Sequence, residues 1–136
     1  MSAPLGGLLA EFLKSGPAYY EIIVPVPLHP RRMRQRGYNQ AALLAREAAK
    51  ATGLPVMEDL LRRVKDTAAQ ARSASAAERR RNVRNAFECP RQLDGDSILL
   101  IDDVCTTGAT LDSCASALKK AGAGPVWGLT IARETI

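Results

Sequence analysis

Aromatic residues are scarce in this chain. Phe, Trp and Tyr make up 4% of its 136 residues, and there is a single histidine, His29. Few aromatics mean few base-stacking platforms, which weakens a reading as a dedicated single-strand binder. The three cysteines, Cys89, Cys105 and Cys114, are odd in number and far apart, with no C-x-x-C pair. That argues against a disulfide framework and a cysteine zinc site, and makes small buried or half-buried side chains the expectation. No apolar run approaches the roughly 18 residues of a membrane helix. The N-terminus, MSAPLGGLLAEFLKSG, lacks a basic n-region and Glu11 interrupts its one apolar stretch, so a cytoplasmic location without membrane contact is expected.

What is present fits one globular domain over residues 1–136, with an N-terminal helix in 1–18 and a core in 19–136. A chain of this length buries roughly two thirds of its unfolded surface and needs no covalent staple. Charge is uneven. Between Arg31 and Arg91 there are 15 Lys or Arg against 6 Asp or Glu, while the rest holds 4 basic and 8 acidic residues. A basic middle suggests an anionic ligand, either a phosphorylated small molecule or nucleic acid.

The hydrophobic pattern alternates strand-like and helix-like segments. Leu5–Lys14 reads as a short helix and Tyr20–Val26 as a buried strand, whose pairing should stop at Pro25 and Pro27. Leu28–Tyr38 reads as a long polar loop. Asn39 caps a helix through Lys50, with Ala41, Leu44, Ala48 and Ala51 on one face and Gly53 as its stop. Asp59–Val64 is a weaker strand, Lys65–Ala77 a mobile loop, and Glu78–Arg84 a short basic helix with Ser75 as a cap. Ser97–Ile101 is the clearest strand. A helix with Leu111, Cys114, Ala115 and Leu118 on one face follows, closed by Gly122, and then a last buried strand at Pro125–Ala132 with Trp127 in the core. The alternation predicts an α/β fold: a Rossmann-like, mainly parallel sheet flanked by helices.

The clearest strand runs into Asp102-Asp103-Val104-Cys105-Thr106-Thr107-Gly108-Ala109-Thr110. In open parallel sheets, ligands bind beyond the carboxyl ends of the strands. Thr106, Thr107, Gly108, Ala109 and Thr110 offer hydroxyls, small side chains and backbone N–H groups at a helix start, the parts of a phosphate cradle. Asp102 and Asp103 suit sugar hydroxyls. The order describes a ribose 5-phosphate. A Walker A loop would need a lysine that is absent here. A receiver domain would need most of its sheet downstream, where one strand remains.

ILLIDDVCTTGAT (residues 98–110) resembles the phosphoribosyl-pyrophosphate (PRPP) motif of type I phosphoribosyltransferases. VPVPLHPRRMRQRGYNQAALLA (24–45), LLRRVKDTAAQ (60–70) and ERRRNVRNAF (78–87) resemble the ComF branch of that family, associated with competence for DNA uptake. The resemblance implies a phosphoribosyltransferase fold with its hood reduced or absent. Asp102 and Asp103 would hold the ribose 2′- and 3′-hydroxyls, and residues 106–110 the 5-phosphate. The pyrophosphate would face Leu28, His29, Arg31 and Arg32. The reaction would transfer phosphoribose to an acceptor and release pyrophosphate, with His29, Asp102 and Asp103 as the candidate catalytic groups. Mg²⁺ would arrive chelated by PRPP, without direct protein ligands. The branch's four-cysteine zinc module has no counterpart here, so no zinc is expected.

The rival reading is a non-catalytic module of DNA uptake that binds a nucleotide or single-stranded DNA. Its candidate contacts are Arg34, Arg36, Tyr38, Arg79, Arg80, Arg81 and Arg84, although an exposed basic helix face also accounts for the last four. A helicase of the competence machinery and a second copy of the chain are the protein partners the resemblance suggests.

Overall fold

The computed structural model of the chain describes residues 20–65, 84–105 and 108–133, with positions 75, 77, 78 and 81. The expected helix at Leu5–Lys14 and most of the 65–77 segment lie outside the described residues. In chain order the elements are β1 (Ile22–Pro25), α1 (Pro30–Arg36), α2 (Gln40–Thr52), β2 (Arg62–Arg63), β3 (Phe87–Glu88), β4 (Ile98–Cys105), α3 (Ala109–Lys120) and β5 (Val126–Arg133). Three strands form a parallel sheet in the order β1–β4–β5, with Ile22 and Val126 both level with Ile98. Val56 adds a one-residue parallel bridge to Ile23 on the outer side of β1, where Ile23 N–H donates to Pro55 O at 2.9 Å. β2 and β3 pair antiparallel as a separate short ribbon.

Helices cover both faces of the sheet, which is why Ile98–Ile101 reads as an unbroken apolar run. Successive β4 side chains point to opposite faces. Leu99 and Ile101 join Ile23 against Leu44, Ala45 and Ala48 of α2. Ile98 and Leu100 join Val24 against Cys114 and Leu118 of α3, with Leu60, Leu61 and Phe87 closing that side. Asn39 fixes where α2 begins. Its Oδ1 accepts from Ala41 N–H at 3.1 Å, and its Nδ2 donates to Val26 O at 3.0 Å, fastening the helix to the end of β1.

Five expectations need correction. The polar stretch after β1 is not a loop: Pro30–Arg36 is helical, with Pro30 in the first turn, His29 as N-cap and Gly37 at φ 79° donating to Met33 O. A proline start and a glycine end are sufficient signals, but the helix buries none of its residues, so apolar periodicity could not reveal it. Pro25 does not end the pairing either. It lies level with Ile101 with its ring nitrogen turned away from β4, and Val26 N–H donates to Ile101 O at 2.9 Å. The strand expected at Asp59–Val64 shrinks to Arg62–Arg63, because Leu60 and Leu61 serve the core rather than a ladder. Ala51 is exposed, past the part of α2 that meets the sheet. Trp127 is 46% exposed: it shares a face with Leu99, but α2 packs over β1 and β4, leaving Trp127 an edge contact with Tyr20.

Candidate functional site

β4 is longer than its apolar run suggests, and Asp102 and Asp103 are strand residues, with Asp102 level with Thr130 of β5. Both acids therefore stand at the carboxyl end of the central strand, half-buried. Asp103 N–H donates to Asp102 Oδ1 at 2.9 Å. Burial, followed by the hydrogen bond and the charge of the Asp103 carboxyl, pushes Asp102 up to about 7. The Asp103 N–H and the Arg63 guanidinium act in the opposite direction. Arg63 is held at the end of β2, with its guanidinium over the Phe87 ring at 5.1 Å and its Nε donating to Lys65 O at 3.1 Å. Below the acids, burial and then the Asp102 charge push the Cys114 thiol far up, which suits an inert packing residue.

Gly108 stands at φ 79° as the N-cap of α3, and Asp112 N–H donates to its carbonyl at 2.9 Å. Gly108 itself brings no capping side chain. Ala109 is buried and Thr110 half-buried in the first turn. Thr106 and Thr107 lie outside the described residues. Leu28 and His29 follow the end of β1. His29 Nδ1 accepts from Arg31 N–H at 3.1 Å, which leaves Nε2 as its outward nitrogen. Arg31 and Arg32 form the first turn of α1.

The remaining basic candidates divide between elements. Arg34 and Arg36 are exposed on α1, with Arg36 stacked over Tyr38 at 5.5 Å. Arg81 and Arg84 are exposed ahead of β3, and Arg79 and Arg80 lie outside the described residues. Ser75 is a cap as expected, its hydroxyl accepting from Glu78 N–H at 3.2 Å. A recess of about 740 Å³ runs along α3 and meets the strand-end site at Ala109.

Sequence reasoning missed Arg63. The signal was Leu60-Leu61-Arg62-Arg63: strand alternation sends neighbouring arginines to opposite sides, so one of them had to face inward. Arg62 pairs with Glu88 in the open, and Arg63 turns toward the acids. Among the described residues no group of three His, Cys, Asp or Glu side chains gathers as a metal cage, and no helix is long and apolar enough to cross a membrane.

No protein-family model matches the chain. It is 40% identical over 114 residues to competence protein F of Haemophilus influenzae, covering 80% of this chain and 49% of that protein. The chain thus spans about half the length of this relative. Among solved structures, it resembles the glutamine phosphoribosylpyrophosphate amidotransferase of B. subtilis, with a TM-score of 0.62 at 22% identity over 95% of this chain and 25% of that one. It also resembles adenine phosphoribosyltransferase of Saccharomyces cerevisiae, with a TM-score of 0.57 at 13% identity over 95% of this chain and 64% of that one.

Proposed function

We propose, for a chain that belongs to the competence protein F branch and has the type I phosphoribosyltransferase fold, that the end of β4 binds the ribose 5-phosphate part of PRPP. One observation carries this reading: two adjacent carboxyls on the central strand, followed after four intervening residues by a left-handed glycine that opens α3. The acids accept hydrogen bonds from the ribose 2′- and 3′-hydroxyls. Gly108, Ala109 and Thr110, with Thr106 and Thr107 by their place in the motif, receive the 5-phosphate, where backbone N–H groups and the helix dipole favour an anion. Leu28, His29 and the first turn of α1, with Arg31 and Arg32, face the pyrophosphate.

The donor set fits Mg²⁺ carried on the ligand. Two neighbouring carboxyls, once ionised, can accept from a diol or lie near a ligand-borne cation, yet among the described residues they do not belong to a cage of three such groups. Mg²⁺, when bound, neutralises charge on the pyrophosphate. In the transfer, the bond from the anomeric carbon to pyrophosphate breaks, a bond to the acceptor forms, and the acceptor loses its proton. Arg63 opposes the upward shift of Asp102 and so favours the ionised form that accepts from the hydroxyls.

The relative's name favours a second reading, in which the same pocket senses a nucleotide during competence without turnover. Pyrophosphate release from PRPP, followed across a panel of nucleobase acceptors, separates the two. Release that Asp102→Asn/Asp103→Asn abolishes supports the transferase. Saturable PRPP binding with no release by any acceptor supports the sensor.

A further inference from the structure

Another cavity, about 320 Å³, lies between α1 and α2 and shares only Leu28 with the residues of the ribose phosphate reading. Its apolar walls are Pro25, Pro27, Leu28, Met33, Tyr38 and Leu43. Met33 and Tyr38 are 41% and 45% exposed, two of the four exposed large hydrophobic residues among those described. Exposed apolar groups around a recess mark a place where another molecule seats.

Apart from the Tyr38 hydroxyl, the polar side chains lining this cavity are engaged within the chain. Asn39 caps α2 and holds Val26 O. Arg46 grips Glu58 at two points, 2.7 and 2.5 Å apart, which pulls the Glu58 carboxyl below its ordinary range. A nucleobase would find little here to read its edge, whereas an aliphatic or aromatic side chain needs no polar partner. The surroundings are cationic. α1 carries Arg31, Arg32, Arg34 and Arg36, has no acid in its first turn and buries none of its residues. Arg32 and Arg36 stand four apart on one short helix, where like charges repel. Carboxylates supplied by another molecule relieve that repulsion.

We infer that the cleft between α1 and α2 docks an acidic segment of a protein partner. One aromatic or branched aliphatic side chain of that segment fills the cavity, and flanking Asp or Glu residues pair with Arg34 and Arg36. This surface is independent of ribose phosphate binding at the end of β4.

Selection of short random peptides on the full chain, with counter-selection on the Met33→Glu variant, tests the inference. Enriched peptides are expected to share one Trp, Phe, Leu or Ile beside several acids. A labelled peptide of this kind should bind the wild type at low salt. Its affinity should fall about tenfold or more on Met33→Glu, and similarly when its own anchor becomes Ala. Arg34→Glu/Arg36→Glu should weaken it by about tenfold as well. All three residues are exposed, and unchanged melting temperatures will show the variants to be folded. Absence of enrichment, or enrichment of peptides without acids, would overturn the inference. So would an oligothymidylate that displaces the peptide and loses its own binding on Met33→Glu, since the cavity would then take a base.

Discussion

The neighbouring parallel strands β1 and β4 end in opposite ways. At the end of β1 the polar groups are occupied by the fold itself: Val26 O receives Asn39 Nδ2, and His29 Nδ1 receives Arg31 N–H. At the end of β4 two carboxyls stand side by side, and burial together with Asp103 disfavours ionisation of Asp102. At the first end these bonds fix the local structure and leave His29 Nε2 facing outward. The second holds an electrostatic penalty that packing does not require, and such penalties collect where a ligand is to be met. The side-chain bonds that follow β1 thus serve architecture, whereas the acids of β4 carry the proposed ribose contacts.

The contrast breaks most visibly at Asn39. Asn39→Ala removes a helix cap and the partner of Val26 O together, and should lower unfolding stability by about 2 kcal/mol in urea titrations. A loss under about 0.5 kcal/mol would show that these bonds do not fasten α2 to β1.

At the other strand end, ribose 5-phosphate affinity should rise about tenfold between about pH 6 and about pH 8, as Asp102 ionises to accept the hydroxyls. Asp102→Asn should flatten that rise, which separates it from titration of the ligand phosphate. Stability should run the other way. The folded chain keeps the Asp102 proton up to about 7, and the unfolded chain releases it near 3.8, so the folded state binds more protons in between. This contribution is full below the unfolded value and is lost as pH rises through about 7. Asp102→Asn should therefore melt above the wild type at about pH 8, with the advantage shrinking toward about pH 5. An advantage that grows on acidification would contradict the raised carboxyl.

A smaller effect is expected at Gly108. A Cβ there meets nothing within 4 Å, so Gly108→Ala should lose only the backbone term, about 1 kcal/mol in thermal unfolding. Smallest of all, Arg63→Ala removes the cation opposing Asp102 and should move the midpoint of the affinity rise upward by less than about one pH unit, with Arg63→Lys restoring it. No movement would place Arg63 outside the site's electrostatics.

Much of the architecture is legible in the chain. Asn39 and Gly53 bracket α2 as read, and the run from Ile98 names the central strand. The misreadings share a cause. Hydrophobic periodicity reports only residues that face the core, so α1, wholly outside it, reads as a loop, and β4 reads as ending where its apolar run ends. Trp127 fails conversely: an apolar strand residue is buried only if something covers its face, and the α2 residues pack with β1 and β4 while Trp127 stays 46% exposed. The acids and the glycine of the candidate site are visible in sequence because they break the apolar pattern abruptly. For Arg63 the Leu60-Leu61-Arg62-Arg63 run indicates a side of the ribbon, while its nearness to the acids comes from the tertiary packing of β2 and β3.

Calorimetric titration with PRPP, with and without Mg²⁺, on the wild type and on Asp102→Asn/Asp103→Asn, tests the central claim most directly. The account predicts saturable binding that strengthens with Mg²⁺ and falls about a hundredfold or more in the folded double variant. Equal heats from both proteins, or none from the folded wild type, would contradict it and leave the end of β4 without a ribose phosphate ligand.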